Sequence, residues 1–171
     1  MSLSYLIPLF CILGIASYTD LRAHRISNKL VLVGLLLGFA VQGLVFGWFG
    51  CVEALLGLLL GFALFIPLYA LRAMAAGDVK LMAVVGTFLG PALTFKATLA
   101  VLMCGAFLAI LWLIINGGGR QIATRYWLSL RLSLTEHRVA YIPPAAGDLA
   151  LQRFPYALAI ASGTGLAVWL G

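Results

Sequence analysis

Six apolar runs, separated by short polar or glycine-bearing breaks, set the pattern of this chain. The first, from Leu3 to about Tyr18, predicts a helix. A polar segment follows with Asp20, Arg22, His24, Arg25, Ser27, Asn28 and Lys29. A second helix is expected from about Leu30 to Phe46, then a turn at Gly47, Trp48 and Gly50 leading to Glu53. A third runs from about Ala54 to Leu71, and Arg72 to Lys80 form a polar interval. The fourth covers about Leu81 to Phe95, broken near Gly90-Pro91. Lys96 opens the fifth, which ends near Ile115. Asn116-Gly117-Gly118-Gly119 is a breaker, residues 120–153 are the most polar stretch, and a sixth helix is expected from about Phe154 to Leu170.

Run length turns this pattern into a class. A helix crossing a bilayer needs roughly 20 apolar residues. A membrane barrel would instead show alternating segments of about ten residues, which this sequence lacks. Of 171 residues, 64% are hydrophobic and 9% charged, whereas soluble domains carry about 25% charged residues. The expected fold is all-α: a polytopic membrane protein of about six transmembrane helices. No polar linker divides it, so residues 1–171 are expected to be one domain, with 117–153 a cytoplasmic loop or amphipathic segment within it.

Charge gives the orientation. With six spans, Arg22, Arg25, Lys29, Arg72, Lys80, Arg120, Arg125, Arg131, Arg138 and Arg153 share one side, and Lys96 stands alone on the other. The positive-inside rule puts the crowded side in the cytoplasm and both termini outside. The net charge of +6 therefore speaks for membrane lipid and not for nucleic acid. Between Arg120 and Arg138, bases alternate with Ile122, Trp127, Leu128, Leu130, Leu132 and Leu134. This reads equally as a helix on the anionic leaflet or as one packed under the bundle. No base precedes the first run, so it reads as a retained helix and not a signal peptide. Cys11, Cys51 and Cys104 are isolated packing residues, and with only His24 and His137 no metal site is expected.

Small residues recur four apart at Gly34/Gly38, Gly43/Gly47, Gly57/Gly61 and Gly86/Gly90, spacing that lets helix backbones approach within a bundle or between copies. Only five acids occur. The topology puts Asp20 and Asp78 at one membrane face, each at a helix end. Paired carboxylates can share a proton and activate water, and intramembrane acids also mark ion pathways. A third reading is a structural subunit in which the acids pair with Arg22 and Lys80. Ala145-Ala146-Gly147-Asp148 repeats Ala75-Ala76-Gly77-Asp78. Asp148 follows two prolines in the polar loop and is read as a helix-start or loop residue, the third candidate acid.

Gly77-Asp78-Val79-Lys80-Leu81, with Gly86-Thr87-Phe88-Leu89-Gly90, resembles the G-x-G-D region of type IV prepilin peptidases. Asp20-Leu21-Arg22 with Ile26-Ser27-Asn28-Lys29-Leu30 is similar to that family's first aspartate region, and Arg153 to Ala159 to the start of its last helix. The family's first motif glycine is Ala75 here. The resemblance implies an intramembrane aspartyl protease of the bacterial cytoplasmic membrane that removes the leader of type IV pilin or pseudopilin precursors at the cytoplasmic face. It implies Asp20 and Asp78 as the catalytic pair, no cofactor, and pilus assembly machinery as a possible neighbour. Gly77 is expected to give the turn before Asp78, Lys80 to tune the pair or anchor in lipid, and Asn28 to cap its helix or to orient a backbone or substrate group. The chain starts at its first helix, like the short forms associated with tight-adherence pili. The zinc region and N-methylation of larger members are therefore not expected.

Overall fold

A computed structural model describes residues 6–71, 73–115 and 156–170. They form four helices: α1 (Ile7–Ala23), α2 (Asn28–Ala70), α3 (Ala76–Ile115) and α4 (Tyr156–Leu170). Residues 1–106 and 155–171 make one compact unit, and residues 107–154 a second. The 120–138 segment and Asp148 lie outside the described residues.

Two glycines break the long helices. Gly47 has φ 62° and ψ −144°, and Gly90 has φ 69° and ψ 173°. These conformations are open to glycine and strained for any residue with a Cβ. At both places the chain reverses. A Cβ on Gly50 would overlap the Gln42 carbonyl, yet eight residues of continuous helix would hold these groups about 12 Å apart. Likewise one on Gly61 would lie 2.6 Å from the Met82 oxygen and 3.4 Å from Thr94 Cγ2, groups about 18 Å apart in a straight helix. Helices α2 and α3 are therefore hairpins, with segments 28–46 and 48–70, and 76–89 and 91–115. Pro91 opens the last of these, at a position where its missing N–H costs nothing. The break expected inside a fourth helix is thus its end, and Lys96 lies within the following segment.

Segment 76–89 is the centre of the first unit. Every residue from Leu81 to Gly90 is buried. Gly34 and Gly38 meet it at Val84 and Thr87, and Gly57 and Gly61 at Gly86 and Met82. A Cβ on Gly57 or Gly86 would overlap the other's carbonyl, so three of the four small-residue pairs let backbones close on this segment. The fourth behaves otherwise. Gly43 faces Cys51 Sγ within α2, which would lie 3.1 Å from a Cβ at position 43. Gly47 is the turn itself, and a Cβ there would meet nothing within 4 Å.

The outward faces are apolar. Leu44, Phe49, Trp48 and Trp169 are each about four-fifths exposed, and many other leucines, valines and phenylalanines face outward. The interior instead holds Thr87, Thr94, Thr98, Gln42, Asp20 and Asp78. An apolar exterior over a partly polar interior suits a lipid surround. By length and composition α2 and residues 76–112 of α3 suffice to cross a membrane, and α4 is a shorter apolar helix.

Candidate active site

One end of the first unit gathers the C-terminus of α1, both ends of α2, and the N-termini of α3 and α4. Helix α1 runs further than its apolar pattern predicts, through Thr19-Asp20-Leu21-Arg22-Ala23. Nothing in that stretch breaks a helix. The stop is His24, in the left-handed conformation (φ 48°, ψ 37°), whose N–H donates to the Asp20 carbonyl at 2.8 Å. Asp20 therefore sits in the last full turn of α1 and is 7% exposed.

Its carboxylate is held by α4. The Ala157 N–H donates to Asp20 Oδ2 at 3.1 Å, and Ser17 Oγ, one turn earlier, donates to the Ala157 carbonyl at 3.3 Å. The amides of a helix's first turn have no partner within the helix. Asp20 supplies one from another helix, where the positive end of the dipole favours an acceptor.

Asp78 is the third residue of α3 and is 4% exposed. Its Oδ2 accepts the Ala75 N–H at 3.0 Å, while its own N–H donates to the Ala75 carbonyl at 3.1 Å. This is half of a capping box, an acid reaching back to the residue that precedes the helix. Ala75 contributes its backbone alone, so the absence of glycine there leaves the arrangement intact. The two acids are near enough for their charges to act on one another. Each has its Oδ2 oxygen on a backbone amide.

The supporting residues differ from expectation. Gly77 lies inside the first turn of α3 and has no positive φ, so it is not a turn glycine. Its missing side chain makes room for Ile26, whose Cβ would lie 3.2 Å from a Cβ at position 77. That contact sets the 24–27 link against the start of α3. Asn28 is not a cap either: Ser27 is, accepting the Lys29 N–H at 3.3 Å. Asn28 Oδ1 instead accepts from Lys80 Nζ at 2.9 Å, tying the first turn of α2 to that of α3 at the surface.

Among the described residues neither acid has the cation that a structural pairing requires. The Arg22 guanidinium lies over the Tyr18 ring, 5.1 Å from its centroid, and Lys80 is on Asn28. Among the described residues no cluster of three or more metal-ligating side chains occurs. Two buried carboxylates at one end of a bundle can hold a water between them and exchange its protons.

Sequence reasoning missed Ser17, Ala157 and Tyr156. Tyr156 opens α4, directly before the amide that Asp20 holds. The signal for it was a polar aromatic residue at the start of the last helix, on the face that carries both acids.

The family model described as the type IV leader peptidase family matches residues 7–114, which include Asp20, Asn28, Gly77, Asp78 and Lys80. No curated protein and no solved structure matches the chain.

Proposed function

The chain belongs to the type IV leader peptidase family, and from that premise we propose that it is an intramembrane aspartyl endopeptidase with Asp20 and Asp78 as its catalytic pair. Membership of this family supports a membrane peptidase with pilin precursors as its substrate class. In this reading the six helical segments are six spans, both termini lie outside, and the acid-bearing end faces the cytoplasm of a bacterial cell. Segment 28–46 is about 28 Å long at 1.5 Å per residue, close to the hydrocarbon thickness of roughly 30 Å. The bases Arg22, Arg25, Lys29 and Lys80 stand at that same end, which agrees with the positive-inside rule.

The precursor of a type IV pilin or pseudopilin brings its leader junction to this end. One carboxylate, ionised, takes a proton from the water held between the pair. The other, protonated, donates to the scissile carbonyl oxygen. The water oxygen bonds to the carbonyl carbon, giving a tetrahedral diol. Collapse breaks the C–N bond, and a proton passes to the departing amine, leaving the leader with a carboxyl terminus. Two like charges in a buried site do not both ionise readily, so the pair holds the one proton this cycle needs. The observation that supports the reading is that Asp20 and Asp78 are both buried, act on one another's charge, and carry no cation among the described residues.

The test is cleavage of a type IV pilin precursor in membranes by wild type, Asp20→Asn, Asp78→Asn and Asp148→Asn. Cutting is expected in wild type and Asp148→Asn and lost in the other two. Full cutting by either Asp20→Asn or Asp78→Asn would sink the assignment. Proton flux into liposomes by a chain that cuts no precursor would favour transport instead.

A further inference from the structure

Ser17 stands one turn before Asp20 on α1 and is buried. Both side chains reach the same residue of α4. Ser17 Oγ donates to the Ala157 carbonyl at 3.3 Å, and Asp20 Oδ2 accepts the Ala157 N–H at 3.1 Å. One residue of α4 is thus gripped at both of its backbone polar groups from one face of α1. The helix so gripped starts at Tyr156, beyond the residues 7–114 that match the family.

The serine bond differs from the other hydroxyl bonds of this chain. A serine or threonine inside a helix can turn its hydroxyl back on a carbonyl one turn earlier. Thr19, Thr87, Thr94, Thr98 and Ser162 all do so, each donating to a carbonyl three or four residues before it. Ser17 instead donates across 140 residues of chain. Its acceptor does not depend on it. Ala157 is the second residue of a 15-residue helix, and a carbonyl there takes the amide four residues on. The bond therefore rescues no orphan group, and what it adds is direction. With the carbonyl of residue 157 tied to α1, its N–H, which has no partner within α4, keeps its aim at Asp20.

A pair of acids that holds a water depends on where each carboxylate points, and such groups keep their aim when supporting hydrogen bonds lock them. Resting on the peptidase reading, we propose that Ser17 is a positioning residue: by holding the Ala157 carbonyl it fixes the Ala157 amide, and through that amide it aims the Asp20 carboxylate at the water shared with Asp78. Ser17 itself touches neither water nor substrate and moves no proton.

Ser17→Ala removes the hydroxyl and strands no buried group, and alanine favours the helix. It is expected to keep the wild-type thermal midpoint in detergent. Its kcat for pilin-precursor cleavage, per folded molecule, is expected to fall about 10-fold with KM unchanged, less than the roughly 100-fold that a misplacement of about 1 Å can cost. Ser17→Thr returns a hydroxyl to the same Cβ and is expected to recover kcat to within about 2-fold of wild type. Exchange of the Ala157 amide hydrogen with solvent, followed by NMR, gives a readout that needs neither cleavage nor the threonine variant. It is expected to be faster in Ser17→Ala than in wild type.

If Asp20→Asn and Asp78→Asn are inactive while Ser17→Ala keeps wild-type kcat per folded molecule, the peptidase reading stands and this inference falls. A well-folded Ser17→Thr as slow as Ser17→Ala, or unchanged exchange at Ala157, shows that the hydroxyl does not set the amide and also overturns it. If the two Asn variants cut like wild type, the reading and the inference fall together.

Discussion

The Asp20 carboxylate of α1 accepts the Ala157 N–H of α4 at 3.1 Å, across 137 residues of chain. The bond serves structure and chemistry through the same side chain, and the two roles can be pulled apart. Asparagine keeps an acceptor oxygen for the amide but cannot act as a base. Asp20→Asn is expected to keep the wild-type thermal midpoint and lose cleavage. Asp20→Leu fills the space but strands a buried N–H, which costs about 1–3 kcal/mol. It is expected to unfold at lower temperature as well as to be inactive. Thermal unfolding in detergent, run beside the cleavage assay, checks both. An Asp20→Asn variant as unstable as Asp20→Leu would show that charge, not the acceptor, docks α4.

Two glycines of α2 are needed for different reasons, and alanine at each tells them apart. Gly47 has a positive φ with open space around it. Gly47→Ala therefore meets only backbone strain, about 1–3 kcal/mol. Gly57 has no such φ, but its Cβ would overlap the Gly86 carbonyl, and backbone cannot swing aside. Gly57→Ala must push its segment away from the one that carries Asp78, with overpacking costs of about 1–3 kcal/mol or more. Gly57→Ala is expected to lose more cleavage per folded molecule than Gly47→Ala, measured as rate normalised to folded protein on the same preparations. Equal effects would contradict the close approach at Gly86.

How far the sequence foretold this site depends on what each signal can resolve. Apolar runs and their breaks located each described helical segment, though not its ends, because a break in a long apolar run is conspicuous. Two scarce acids at helix ends stood out for the same reason. Hydropathy could not say that residues 81–90 lie at the centre while Leu44 and Phe49 face outward, since both settings are apolar and favour the same residues. Four-residue glycine spacing could not distinguish Gly57, held by a neighbour, from Gly47, held by its φ. The partners of Asp20 were illegible because they are backbone groups of Ala157, and a backbone amide leaves no mark in a sequence. Asn28 was misjudged because Ser27, one residue earlier, is an equally good cap, and only the position of Lys80 decides between them.

His24 closes α1 immediately after the Asp20 turn, with φ 48°. Holding an L-residue in this left-handed conformation costs roughly 1–2 kcal/mol, while glycine adopts it freely at an unfolded-state cost of about 0.5–1 kcal/mol. His24→Gly is expected to stabilise the protein by about 0.5–1 kcal/mol. His24→Val, branched at Cβ, is expected to destabilise it, because such residues tolerate this region worst. Thermal midpoints in detergent should follow the order glycine, histidine, valine. A lower midpoint for His24→Gly would show that the imidazole makes a contribution larger than the strain it carries.

Gln42 tests whether the far end of the unit is separable from the site. Its Nε2 donates to the Phe88 carbonyl at 2.8 Å, and the side chain is buried. That carbonyl needs an outside donor because the helix turns at Gly90 and Pro91 brings no N–H, so the last carbonyls of segment 76–89 lose their usual partners. Gln42→Leu keeps much of the volume and leaves the carbonyl buried without a donor, at about 1–3 kcal/mol. Asp78 lies at the opposite end of the same segment, so its half capping box with Ala75 is untouched. Gln42→Leu is expected to lower the thermal midpoint while the folded fraction cuts pilin precursor at the wild-type rate. Normalising activity to folded protein checks this. A loss of specific activity would mean that the turn at Gly90 and the acid at residue 78 move as one rigid body, and that the central segment transmits strain along its whole length.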